Sequence, residues 1–131
     1  MNLSKLQYHH MGIPTTEKKP DERYSPVFKM YTTKGNNAFR IQWHRFEDGC
    51  PLHPLIQSQP HVAFKVDCLQ QAVEGQTLLL EPYEPMPGFK VAMIEVEGAP
   101  VELIETTLSE EQIWQTDHQG SMMYPDEEPI G

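Results

Sequence analysis

Four residues of this 131-residue chain are of types that could share a metal ion: His10 in "YHHMGIP", Gln42 in "AFRIQWHRF", His61 in "PHVAFKV" and Glu102 in "GAPVELIET". Two imidazoles and one carboxylate make a competent site for a divalent ion, and an amide oxygen can add a further donor. Their spacing nearly repeats. The two histidines stand 51 residues apart, and the amide and the acid stand 60 apart. Taken singly, each would pass as a polar residue on a solvated sheet face. Taken as a set, they point to one shared site.

Whether these groups can meet depends on the elements that carry them. A strand turns successive side chains to opposite faces. In 61–66, Val62, Phe64 and Val66 form an apolar face and leave His61, Ala63 and Lys65 opposite. In 39–46, Phe39, Ile41 and Trp43 leave Arg40, Gln42 and His44 opposite, and in 101–106, Val101 and Leu103 leave Glu102 and Ile104. In 7–13, His9, Met11 and Ile13 lie together, away from Tyr8, His10 and Gly12. Alternation therefore predicts one face holding His10, Gln42, His61 and Glu102, with His9, Trp43 and Glu105 pointing away.

The wider pattern is that of an α+β domain rich in antiparallel sheet, because short apolar segments alternate with turn signals. Strands are predicted at 7–13, 28–33, 39–46, 61–66, 77–81, 90–97 and 101–106. Short helices are predicted at 52–57, at 69–74 with Asp67 as N-cap, and at 109–115, where Ser109 and Gln112 form a capping box. Turns are predicted at "KGNN", "EDGCP", "EPYEPMPG" and "EGAP", where Gly, Pro and Asn punctuate the apolar runs. A weak internal repeat suggests two copies of a βαβββ-like unit, the first with its helix largely eroded into "TEKKPDERY". Residues 1–107 then form one domain, with modules at about 6–57 and 58–107, and 108–131 form a short helix and a polar tail.

The formal charge is −9, from 10 Lys and Arg against 19 Asp and Glu. Residues 108–131 hold six acids and no Lys or Arg, so the first 107 carry a net of only −3. With no basic stripe, nucleic acid and anionic membrane are poor partners. No run of about 18 apolar residues exists to span a bilayer. The start "MNLSKLQYHH" lacks an apolar signal core, so a cytoplasmic location is expected. Cys50 and Cys68 fit neither a disulfide framework nor zinc-type spacing and read as reduced thiols without a redox role.

From about Leu6 to Thr107 the sequence resembles the vicinal oxygen chelate superfamily, the glyoxalase, bleomycin-resistance and extradiol-dioxygenase fold. The strongest part is "PHVAFKVDCLQQAVEGQTLLLEP" followed by "GFKVAMIEVEGAPVELIET", with "HHMGIP" and "FRIQWHRF" matching a first module. The resemblance implies two βαβββ modules whose mostly antiparallel sheets form a cup around a metal. It implies His10, the His directly before "MGI", as a ligand rather than His9. In the second module it implies His61 and Glu102, and it assigns Gln42 to a position that is Glu or Gln in related metal sites. The residues that contact glutathione in glyoxalase I have no match, so substrate identity does not transfer.

The nearest analogies for such a ligand set are glyoxalase I and methylmalonyl-CoA epimerase, which remove and return a proton next to a carbonyl. They imply a lyase or isomerase acting on a small oxygenated metabolite, using nickel, cobalt, zinc or manganese rather than iron. Glu102 could serve as ligand and base in turn, and His44, on the face of Gln42, is a second proton-transfer candidate. Tyr24 and Arg40 are candidate substrate contacts, and His53, in a loop between prolines, is read as remote. The rival readings are an iron dioxygenase using His10, His61 and Glu102 alone, and a metal-free ligand-binding protein. A small-molecule substrate and a second copy of the chain are the partners expected.

Overall fold

A computed structural model of the protein describes residues 6–35 and 37–109. In chain order the elements are β1 (Gln7–Pro14), β2 (Arg23–Ser25), β3 (Met30–Thr32), β4 (Ile41–Phe46), α1 (Pro54–Ser58), β5 (His61–Lys65), α2 (Leu69–Val73), β6 (Thr77–Met86), β7 (Phe89–Val96) and β8 (Ala99–Thr106). The strands form one curled mixed sheet in the order β2-β3-β4-β1-β5-β8-β7-β6, an α+β fold with few helices. Among the described residues no helix is long and apolar enough to cross a membrane.

The two halves of the sheet pair alike. β1 lies parallel to β4, and β5 lies parallel to β8. From β4 and from β8 the sheet continues outward through antiparallel neighbours, and the halves meet where β1 runs antiparallel to β5. Gly12 is level with Gln42 in one half as Ala63 is level with Glu102 in the other. His10 and His61 each stand two residues earlier, so they occupy equivalent positions, as do Gln42 and Glu102.

Apolar side chains collect on both faces. On the helix face, Leu69 and Ala72 of α2 pack with Ala92, Ile94 and Leu103. The metal-capable face is closed by Ala63, Phe89, Val91 and Ile104 and by a second cluster of Phe28, Met30, Leu52, Ile56 and Met93. Segment 15–22 holds no helix. In its place, the Glu22 carboxylate takes two hydrogen bonds from Arg45, at 2.8 and 2.9 Å, and the Lys19 ammonium lies 4.7 Å from the Trp43 ring centre.

Several boundaries differ from the sequence reading for local reasons. β6 does not stop at Glu81 but continues through Pro82 and Pro85 to Met86. It is an edge strand, where a missing N–H costs little, and its pairing with β7 shifts register three times between Leu78 and Met86. The turn is confined to Pro87-Gly88, with Gly88 at φ +81°. β2 was not foreseen, being only three residues long. β4 begins at Ile41 because the Asn37 side chain builds a turn: its Oδ1 accepts the N–H groups of Phe39 and Ile41. Phe39 is consequently 71% exposed instead of facing a core.

Asp67 is not the cap of α2. Cys68 holds that position, and the Leu69 N–H donates to the Glu105 carboxylate at 2.8 Å. The helix predicted at 109–115 and the acidic tail lie outside the described residues, apart from Ser109. Cys50 and Cys68 are both free thiols.

Candidate metal centre

The seam between the halves brings three of the expected ligands together. His10 comes from β1, His61 from β5 and Glu102 from β8, adjacent strands in the sheet. In register His10 is level with Ala63, and Ala63 with Glu102, while His61 is level with Gly12. Partners at one level share a face, so all three side chains project to the same side. His10 Nε2 lies 3.4 Å from one Glu102 oxygen and His61 Nε2 lies 3.4 Å from the other. One ligand atom from each residue falls within 4.8 Å of the others, and the two histidines are buried.

These 3.4 Å separations are long for hydrogen bonds. Two metal bonds of about 2.1 Å meeting at roughly 90–110° put their ligand atoms about 3.0–3.4 Å apart, so the spacing suits an ion between them. His61 Nε2 is buried without a hydrogen bond among the described residues.

Burial pushes His10 down to about 4, and the neighbouring His61 and His9 add to that, against the opposing charge of Glu102. Burial alone would raise Glu102, but the electrostatic pull of His10, His61 and His44 outweighs it and holds the carboxyl down at about 2. At neutral pH the centre therefore presents neutral His10 and an ionised carboxylate, the forms that bind a cation.

His44 stands beside this cluster. Its ring centre is 5.3 Å from that of His61, nearly perpendicular to it, and its Nε2 is buried without a hydrogen-bond partner among the described residues. Burial, then the charges of His61 and His10, push its pKa well below the ordinary histidine value. Gln42, two residues earlier on β4, is half-buried on the same face, level with Gly12.

Two contributors were not foreseen. Gly12 lies beneath the imidazoles: a Cβ there would stand 2.8 Å from both His44 Nε2 and His61 Nε2. A glycine inside a strand is itself a signal of such close approach. Arg23 is level with Thr32, which is level with His44, so it stands in the His44 row, and its charge also lowers His44. No signal marked Arg23, because strand β2 was not legible.

The predicted separation of His9 and His10 is overturned. Between Tyr8 and His10 the pairing of β1 with β5 slips by one residue, a β-bulge at His9. The bulge breaks strict alternation. Both rings are buried and their Nδ1 atoms are 2.9 Å apart. His9 also meets Phe89, a member of the core on the site's own face.

Trp43 and Glu105 do face away, one under Lys19 and the other capping α2. His53 is exposed and caps α1, its Nδ1 accepting the Leu55 N–H. Tyr24 is exposed on the opposite face, donating to Glu47 at 2.6 Å, and Arg40 sits in the Asn37 turn at φ +55°.

No known protein family matches the sequence, and no curated protein matches it. Among solved structures the fold is similar to a hypothetical protein from Bacillus halodurans C-125, with a TM-score of 0.55 and 15% identity. The match covers 79% of this chain and 96% of that one. At that identity the likeness speaks for the fold alone.

Proposed function

We propose that this chain is a metal-dependent enzyme of the vicinal oxygen chelate type, carrying out isomerase- or lyase-type proton transfer on a small oxygenated metabolite. The observation that carries the reading is the convergence of His10, His61 and Glu102 at the seam of two halves with the same strand pairing. Those halves are the proposed modules, about 6–57 and 58–107. His10, His61 and Glu102 would hold the ion, with the Gln42 amide as a fourth donor. Mixed imidazole and oxygen donors suit nickel, cobalt, zinc or manganese.

When bound, such an ion polarises the oxygens of a substrate and stabilises negative charge developing on them. The chain's own residues supply the rest. His44, kept neutral by burial, accepts a proton from the carbon beside the carbonyl at Nε2 and returns it to the product. Glu102, held ionised, serves as ligand and as the alternative base. Arg23, in the row of His44, offers its charge to an anionic group of the substrate. Burial of the imidazoles keeps bulk water from competing for the proton.

The test is solvent deuterium exchange into α-hydroxy carbonyl compounds, thiol-aldehyde adducts and acyl-CoA thioesters, with metal added back. Exchange that needs metal and is lost in His44→Ala supports the reading. About one ion per chain, lost in His10→Ala and Glu102→Gln, is expected on elemental analysis, and unchanged metal content in both variants would sink it.

A second reading is favoured by one feature, that the three closest donors are two histidines and one carboxylate. That set is also the facial triad of iron oxygenases. Oxygen uptake with catechols under iron, without deuterium exchange, would select it. Tight ligand binding without turnover or metal would select a binding protein.

A further inference from the structure

We infer that His9 is a positioning residue that accepts the Nδ1 hydrogen of His10 and so fixes which nitrogen of His10 faces Glu102. The inference rests on the proposed metal centre and concerns a residue outside its ligand set. The bulge at His9 sets the two rings edge to face, with centres 5.2 Å apart and Nδ1 atoms 2.9 Å apart. At that distance one hydrogen is shared, and two Nδ1–H groups facing each other would repel.

Two arrangements satisfy the pair. Either His9 donates and His10 carries its own hydrogen on Nε2, or His10 donates and its Nε2 lone pair is bare. His10 Nε2 is the atom that points at Glu102 Oε2, 3.4 Å away. Only the second arrangement lets that atom bind a cation. It forces the His9 hydrogen onto Nε2, so the tautomers of the two rings are coupled.

The His9 ring is itself held, buried and tilted against Phe89 with centres 5.9 Å apart. A ligating imidazole ordinarily gives its second N–H to a carboxylate, a carbonyl or water, and losing that outer partner typically weakens metal binding 10–100-fold. Here an imidazole takes that part. The bulge is what makes this possible, because a regular strand would carry His9 to the other face.

Cobalt(II) titration of the full chain is the first test. His9→Phe keeps a ring against Phe89 without the acceptor and is expected to bind cobalt about 10–100-fold more weakly. His9→Asn, whose side-chain oxygen can take the place of Nδ1, should recover much of that loss. Long-range nitrogen NMR of the zinc-loaded wild type needs no variant and reads the hydrogens directly. Hydrogen on Nδ1 of His10 and on Nε2 of His9 is expected. Hydrogen on Nδ1 of His9 in the loaded protein would overturn the inference, as would full affinity in His9→Phe. Wild type that binds neither metal overturns the metal centre and this inference together, whereas tight wild-type binding with unchanged His9→Phe overturns this one alone.

Discussion

On the helix face of β8, Leu103 is fully buried beneath α2, and Glu105 caps that helix. At the equivalent places on β4 stand Trp43, half-buried under the Lys19 ammonium, and Arg45, paired with Glu22. One half is thus closed by an apolar helix and the other by a polar strap occupying the same station. Apolar closure scales with area removed from water, whereas the part-buried Arg45–Glu22 pair must offset the cost of desolvating its charges, so it adds less net stability. The second half should therefore be the stiffer of the two. The candidate centre draws on both, with His10 and His44 from the strapped half and His61 and Glu102 from the helix-backed half.

Acid should expose this division most strongly. In the metal-free protein, His10 takes up its proton at about 4, while the unfolded chain does so near 6.5. The unfolded state then binds more protons between those values, so stability falls as pH drops from about 6.5 to 4, by about 3 kcal/mol from His10. His44, also lowered, adds to the loss in the same direction. Glu102 acts in a lower window. Its stabilisation is present above about 4.5 and is lost as pH falls toward 2. Denaturant titrations from pH 8 to 4 should show the upper loss. His44→Ile copies in the residue that Ile104 supplies at the equivalent place on β8, and it should shrink that loss.

Next in size is the contrast between the two coverings. Leu103→Ala should cost about 3 kcal/mol, as a leucine with no exposed surface does when truncated. Trp43→Ala, although it removes more atoms, should cost less than half as much, because its ring already meets water. Urea unfolding of both variants measures this. A larger loss from Trp43 would show that the strap closes its half as well as the helix does.

The third contrast lies on the site face, where Gly12 and Ala63 are equivalent. Ala63 tolerates its methyl with no exposed surface, but a methyl at Gly12 would press on the nitrogens of His44 and His61. Gly12→Ala should therefore cost about 2 kcal/mol by overpacking and weaken cobalt binding, read by calorimetry on the purified variant. Full stability with normal metal affinity would mean the imidazoles are free to move.

Much of this arrangement could be read from residue types. His61, Glu102, Gln42 and His44 sit on regular strands, where period-two alternation holds, and their common face followed from it. The helix-backed half was legible because "VAFKVDCLQQAV" keeps an apolar pattern through strand and helix. His9 was misassigned because a bulge adds one residue to a strand without a local signature in "YHHMG". β2 and its Arg23 were missed because three residues are too few to show a period. The prolines of β6 read as a turn because tolerance of proline depends on edge position, a property of the whole sheet.

The smallest contrast concerns how each covering segment is pinned. Glu105 accepts the Leu69 N–H at 2.8 Å, at the first turn of α2, where a carboxylate meets both an unpaired donor and the positive end of the helix. Glu105→Ala should cost about 1 kcal/mol, in the range of lost helix caps. Part of that cap is a hydrogen bond to backbone, so most of the loss should persist in 1 M sodium chloride. Glu22 instead holds its segment through Arg45, whose guanidinium also lies 4.0 Å from the Tyr31 ring centre. Glu22→Gln removes the charge while keeping an acceptor. Its effect should be largest at low salt and become smaller at 1 M, where the screening length is about 3 Å. Amide hydrogen exchange distinguishes the two: Glu105→Ala should speed exchange in α2, and Glu22→Gln in β4 and the strap, more at low salt than at high. A salt-independent effect at Glu22 would mean that the strap is held by shape and packing, and that the two halves are closed by the same physics after all.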